Sequence, residues 1–324
     1  IEKALDEYEN VITVAKDRPE GYTRKASVLW THKKDAKTAI EMLKQAIRAD
    51  DTYLPAQIML VDIYLEQGML KEASEALARA CEANPESVEL AYRHFEASKK
   101  LGDYEGMEKA LNGVLKLKPG DETAYYRLGA VYSERTTPEP DYAAAVLAYK
   151  KAIELNKNYG EAYAGLGIIY LRQMKKYKEA AEALEKAEKC LSRPDYAVRS
   201  NLGLAYRHLG DSAKAVNAYR LALALDVNNV AALNNLAYAL AEEGKGIGEA
   251  YDLARKAEAA AKTDMEKAAV SDTLGTILFL KGDIAESLKY LEAAHGTFAD
   301  DPAHLLYYGT VSYTHLTLPT IYSV

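Results

Sequence analysis

Apolar residues recur along this chain at i, i+3, i+4 and i+7, the spacing that lays a stripe on one face of a helix. Segment 54–87 shows the unit clearly. A first stripe carries Leu60 and Tyr64, Gly68 marks a turn, a second carries Ala73, Leu77 and Ala80, and Pro85 ends it. Two helices joined by a short link are predicted. The next segment repeats the plan with Phe95, Gly102, Met107, Leu111, Val114 and Pro119, and the two prolines stand 34 residues apart. Further on come Leu128-Gly129-x-x-Tyr132, Leu166-Gly167-x-x-Tyr170, Leu202-Gly203-x-x-Tyr206 and Leu274-Gly275-x-x-Leu278. Their second helices carry Ala145/Tyr149/Ala152, Ala180/Leu184/Ala187, Ala215/Tyr219/Ala222 and Ser287/Leu291/Ala294.

Packing explains the spacing. A small residue at the eighth position of the first helix (helix A) leaves room for a large one on its neighbour. Alanines at positions twenty and twenty-seven do the same for the second helix (helix B). A tyrosine at position eleven fills the gap between helices while its hydroxyl reaches a polar rim. One helix pair hides only part of its apolar surface, so stability comes from stacking pairs on one another. The chain has 324 residues, beyond the ~250–300 at which single cores stop growing. A stack escapes that limit because it has no single core.

These residues resemble the tetratricopeptide repeat (TPR): a large residue, then Leu-Gly, Tyr, Ala, an aromatic or Leu, Ala, and Pro. The resemblance implies an all-α fold, a right-handed superhelix of helix-turn-helix repeats. Eight repeats are expected at 20–53, 54–87, 88–121, 122–159, 160–195, 196–229, 230–267 and 268–301. Residues 1–19 read as helix B of a preceding repeat and 302–310 as the start of a ninth. The first repeat departs most, with Trp30 at the tyrosine position. A lengthened turn containing Pro138 and Pro140 is expected over Glu134–Tyr142, and longer links near Ser192–Pro194 and Thr263–Lys267.

Composition accounts for several exclusions. Hydrophobic residues are 49 % and charged residues 27 % of the chain, which excludes collagen-like or disordered classes. Tyrosine is used 25 times against three phenylalanines and one tryptophan, as expected if a few structural positions are filled repeatedly. A net charge of −7 gives no electrostatic footprint for nucleic acid or anionic membrane. Cys81 and Cys190, inside separate helical patterns, do not suggest a disulfide framework. The sequence starts at Ile1, so a bacterial cytoplasmic and an envelope location both stay open. Residues 302–324 carry no Asp, Glu, Lys or Arg, yet their Thr, Ser, His and Pro content argues against a membrane span. From Val311 to Thr320 the sequence resembles the in-frame translation of a sequencing adapter. Residues 311–324 therefore read as a non-native tail without function.

By resemblance to the family, helix A positions two, five, six, nine, twelve and thirteen face a concave groove. Tyr92-Arg93 and Tyr126-Arg127 occupy positions five and six of consecutive repeats. Two guanidiniums beside two phenols there would grip a carboxylate or stack on an aromatic side chain, or, for Arg93, be neutralised by Glu89 and Glu96 on the same helix. Asn201 and Asn235, with Asn234 and Tyr238 nearby, offer donors and acceptors for an extended peptide. They resemble the asparagine ladder of O-linked N-acetylglucosamine transferases, with two rungs; the alternative is capping or polar packing within the helix pair. The carboxylate clamp of chaperone-binding TPR domains has no full counterpart here. Gly244-Lys245-Gly246-Ile247-Gly248 lacks the Lys-Ser/Thr and preceding strand of a phosphate loop and reads as a turn. His94, His208 and His295 are scattered, and no metal, cofactor or catalytic motif is expected. The resemblance implies a non-enzymatic scaffold that holds a partner peptide or helix. The alternative is the repeat region of a larger protein: an envelope, export or exopolysaccharide-assembly lipoprotein, or a glycosyltransferase-type enzyme. The stretch Leu233–Gly244 is similar to repeats of bacterial envelope TPR proteins.

The third repeat places Gly106 and Gly113 in its second helix, at a propensity cost of ~1 kcal/mol each relative to Ala. It should be the first to open. Amide hydrogen exchange should show its protection lowest, and finding it best protected would remove the idea.

Overall fold

The computed structural model describes residues 1–136, 139–244 and 246–321, with side chains described through His315. Lys245 of the glycine-rich turn and Pro138 of the lengthened turn lie outside the described residues, as does the end of the tail. All regular structure among the described residues is α-helical. The chain divides into two compact units, Ile1–Lys157 and Asn158–Val324.

The first unit contains α1 (Glu2–Val14), α2 (Pro19–Thr31), α3 (Ala36–Ala49), α4 (Leu54–Glu66), α5 (Leu70–Ala83), α6 (Val88–Leu101), α7 (Tyr104–Leu117), α8 (Glu122–Glu134) and α9 (Tyr142–Leu155). The second contains α10 (Gly160–Arg172), α11 (Tyr177–Cys190), α12 (Tyr196–His208), α13 (Ser212–Leu223), α14 (Val230–Glu243), α15 (Ile247–Ala260), α16 (Asp264–Lys281), α17 (Ile284–Phe298) and α18 (Pro302–Ile321). From α2 onward each even-numbered helix pairs with its successor, through α16 with α17, and each such pair packs on the next within its unit. In the second unit α14 also packs directly on α16, first helix against first helix.

Close approach inside four of the pairs depends on a position-eight glycine. A Cβ built at Gly203 would stand 2.6 Å from the Tyr219 ring, and one at Gly129 2.6 Å from the Tyr149 ring. Leu184 and Leu291 fill the same role against Gly167 and Gly275, at 2.7 and 2.6 Å. The alanines flanking these large residues, Ala215 and Ala222 around Tyr219, are fully buried. Tyr219 is itself wholly enclosed, with no partner for its hydroxyl. Burial pushes that phenol up to about 12.

Polar bonds tie one pair to the next. Tyr132 of α8 donates to Glu108 of α7 at 2.9 Å, and Tyr206 of α12 donates to Glu185 of α11. These two position-eleven tyrosines thus anchor on a glutamate of the preceding second helix. The acidic surplus is partly spent on helix starts. Asp35, Asp103, Asp141, Asp211 and Asp283 each accept a backbone N–H at the beginning of a second helix. That bonding, with Thr38 and Lys214 respectively, holds the Asp35 and Asp211 carboxyls below their ordinary range.

Two details refine the sequence reading. Gly106 lies in the first turn of α7, where its amide donates to Asp103, and a Cβ there would stand 2.3 Å from the same carboxylate. It is required by the cap and is not an interior weakness. Gly113 has only an ordinary contact at 3.9 Å, so it alone carries the propensity cost. The last helix runs unbroken past residue 311, and Val311 is fully buried. No helix among the described residues is long and apolar enough to cross a membrane.

Gly203→Ala should destabilise the chain by about 1–3 kcal/mol, because the Tyr219 ring has nowhere to move. Gly113→Ala should stabilise it by about 1 kcal/mol. Urea denaturation followed by circular dichroism measures both, and shifts of the same sign would contradict the packing described.

Candidate functional site

The first helices present the residues singled out in the sequence, and they fall in separate units. Tyr92 and Arg93 are on α6 and Tyr126 and Arg127 on α8, in the first unit. Asn201 is on α12 and Asn234, Asn235 and Tyr238 are on α14, in the second.

In the first unit both guanidiniums are already engaged. Arg93 donates through Nη1 to Asp62 of α4 at 3.0 Å and through Nε to Glu89 at 3.2 Å. Arg127 donates through Nη1 to Glu96 of α6 at 2.8 Å. Each position-six arginine therefore reaches back to the position-nine acid of the preceding first helix. Glu96, read from sequence as an intrahelical partner of Arg93, serves Arg127 instead. The reason is geometric: the α6–α8 spacing brings the long Arg127 side chain across, and its guanidinium also lies over the rings of Tyr92 and Phe95, at 5.3 and 4.7 Å. The two Tyr-Arg dipeptides do not form one stack, since Tyr126 packs on Tyr149 with centroids 5.9 Å apart. These ion pairs are part-exposed, Arg93 at 37 % and Arg127 at 30 %, so each is worth about 0–1 kcal/mol. A cleft of about 390 Å³ opens beside them, floored by Val61, Leu65 and Ala97 and edged by Glu89, Tyr92 and Arg93.

In the second unit the asparagines differ from one another. Asn201 is only 6 % exposed; its Nδ2 donates to the Ala197 carbonyl at 2.7 Å and its Oδ1 accepts from Arg172 Nη2 at 3.0 Å. Its capacity is spent on packing. Among the described residues Asn235 is half-buried and makes no side-chain hydrogen bond, while the Oδ1 of Asn234 is buried without a donor. Tyr238 lies under the Arg207 guanidinium at 4.8 Å, and Glu242 stands 3.9 Å from that guanidinium. Burial raises the Glu242 carboxyl, opposed by Arg207 and by a hydrogen bond from Tyr238. Burial likewise raises the Tyr238 phenol.

Tetratricopeptide repeat models match residues 31–93, 141–198 and 196–229. The chain is a TPR array. The TPR repeat-containing protein PA4667 of Pseudomonas aeruginosa is 27 % identical over 206 residues, which are 52 % of this chain and 34 % of that protein. The chain thus spans about a third of the length of that curated relative. Among solved structures, YrrB, a TPR protein with an unusual peptide-binding site, aligns with a TM-score of 0.51 at 23 % identity. That alignment covers 61 % of this chain and 97 % of YrrB. The C-terminal part of a TPR repeat-containing protein from Cytophaga hutchinsonii aligns with a TM-score of 0.56 at 16 % identity, covering 76 % of this chain and 97 % of the other. At these identities the likeness establishes the TPR fold alone.

Several residues of the TPR faces escaped the sequence reading. Arg172 and Arg207 occupy positions thirteen and twelve of their first helices. The family pattern marks both positions as groove-facing, so inspecting them as closely as five, six and nine would have found both. Long-range pairing hid a third group. His304 of α18, 1 % exposed, places Nδ1 2.6 Å from the Asp272 carboxylate of α16 and Nε2 3.2 Å from Nδ1 of His295 on α17. His295 also stacks on Tyr308, with centroids 4.6 Å apart. Among the described residues no group of three or more His, Cys, Asp or Glu side chains is arranged to hold a metal. His94 is buried, and burial lowers its affinity for a proton. Cys81 and Cys190 are unpaired and half-buried rather than enclosed, and burial pushes the Cys81 thiol up to about 11.

Asn201→Ala strips the Arg172 guanidinium of its acceptor and should cost about 1–3 kcal/mol. Asn235→Ala, which breaks no internal bond, should stay within about 0.5 kcal/mol of the parent. Urea midpoints that fall equally for both would contradict the division between spent and unspent amides.

Proposed function

We propose that the chain is a protein-interaction scaffold whose first-helix faces hold an extended segment of a partner protein, and that it acts by binding rather than by catalysis. The observation that carries this reading is the unspent amide capacity on α14. Asn235 has no internal partner, and Asn234 retains a buried acceptor without a donor. The Asn234 acceptor is enclosed, so a ligand N–H meets it only when that side chain turns outward, and Asn235 is the amide within direct reach. Asparagine suits a peptide main chain because it donates and accepts side by side. Beside these amides the Arg207–Tyr238 stack offers a flat, charged platform. The charged groups nearby are already engaged, Arg207 with the Glu242 carboxylate and Arg172 with the Asn201 amide, which supports positioning and not proton transfer. The arginines of the first unit take a secondary part in this proposal, since a carboxylate ligand would have to displace Asp62 or Glu96.

Affinity capture with the full chain as bait supplies the partner, and a purified pair supplies the test. Asn234→Ala combined with Asn235→Ala should weaken partner binding at least tenfold at unchanged helicity. Arg93→Ala combined with Arg127→Ala should change it less than threefold. Undiminished binding by the asparagine variant would overturn the proposal.

A further inference from the structure

A second surface, on the side of the second helices, has the makings of an independent docking groove. In the first unit α3 and α5 are second helices of successive repeats, and between them lies a cavity of about 580 Å³ floored by α4. That volume falls within the ~300–1,000 Å³ of sites that take ligands or side chains. The groove exists because of residue size. The α5 wall presents Ala76, Ala80 and Ala83, one turn apart, too short to meet Ile47 on α3. Leu60 and Tyr64 of α4 make a buried apolar floor, and the charged side chains stand on the rims.

The charges on its walls are unequal in their commitments. Lys44 pairs with Glu41 at 3.3 Å, and Glu82 pairs with Lys109 at 3.0 Å. Arg48 on the α3 wall and Arg79 on the α5 wall are exposed, and neither makes an ion pair or side-chain hydrogen bond among the described residues. Arg93, Arg127, Arg199, Arg207, Arg220 and Arg255 have acidic partners, whereas Arg18, Arg24 and Arg193 are exposed and unpaired among the described residues. What sets Arg48 and Arg79 apart is that they face each other across one groove. Asp51 is the one acid of the groove not engaged in an ion pair. Two free guanidiniums against one free carboxylate make the groove locally positive in a chain of net charge −7. A guanidinium on each side of an apolar slot suits a carboxylate carried beside a bulky apolar group.

We propose that this groove docks a segment of a partner protein in which an aspartate or glutamate adjoins a large apolar side chain. The apolar side chain enters the slot over Leu60 and Tyr64, and the carboxylate sits between Arg48 and Arg79. The site is separate from the α14 amides, and either can fail while the other stands.

The test uses the full chain and a library of displayed random peptides, each about a dozen residues long. Enriched peptides should carry Asp or Glu within two residues of Leu, Phe or Trp. The strongest, made with a fluorescent label, should lose at least tenfold in affinity to the Arg48→Glu/Arg79→Glu variant. The milder Arg48→Gln/Arg79→Gln variant should lose severalfold, and raising the salt concentration should weaken binding to the parent. Asn234→Ala/Asn235→Ala should leave this peptide's affinity unchanged. Enrichment of peptides without acidic residues, no enrichment at all, or binding indifferent to both arginine variants would overturn the proposal.

Discussion

Four of the repeats depend on one contact, a large side chain of the second helix pressed against a glycine of the first; Ser27, Val61, Phe95 and Ala237 hold that position in the others. Where Tyr219 meets Gly203 or Leu291 meets Gly275, a single added methyl would overlap the neighbour. The contact fixes the distance between paired helices, and the surrounding alanines follow from it. A stack built on such contacts grows by adding pairs, so its length is not limited by the interior of a single core. The left-handed turn between the paired helices completes the unit. Gly68, Gly102, Gly210 and Gly282 supply it without strain, whereas Lys34 and Lys175 hold the same positive φ at a steric cost.

Because the pairs are rigid, the surfaces they present are partitioned by what each side chain has already found. Arg93, Arg127 and Asn201 look like ligand contacts in one dimension but are consumed by neighbours in three. Asn235 and the acceptor of Asn234 are not. The useful distinction for a binding face is thus between capacity spent on cohesion and capacity left over. The same criterion separates Arg48 and Arg79 from the paired arginines.

The all-helical repeat was legible because its determinants are local and periodic: the position-eight glycine, the flanking alanines and the turn glycines all recur. The candidate site was legible only in part, since its outcome depends on contacts between helices about 30 residues apart. Glu96 illustrates this. Three residues from Arg93, it was the obvious partner, yet it faces Arg127 of the next repeat. His304 binding Asp272 across 32 residues left no periodic trace at all. Gly106 shows the opposite failure, a residue scored by average propensity when its role is set by one cap.

The backward reach of the position-six arginines has a consequence for how such a chain changes over time. Asp62 serves Arg93 and Glu96 serves Arg127, each acid belonging to the repeat before its arginine. Cutting out the repeat that spans 88–121 would remove Arg93 and Glu96 together and bring Arg127 to Asp62, an acid of the same charge. The seam is self-matching. Gain or loss of a whole repeat by recombination leaves no orphaned charge there, so repeat number is free to drift while the chemistry of the junction is inherited intact.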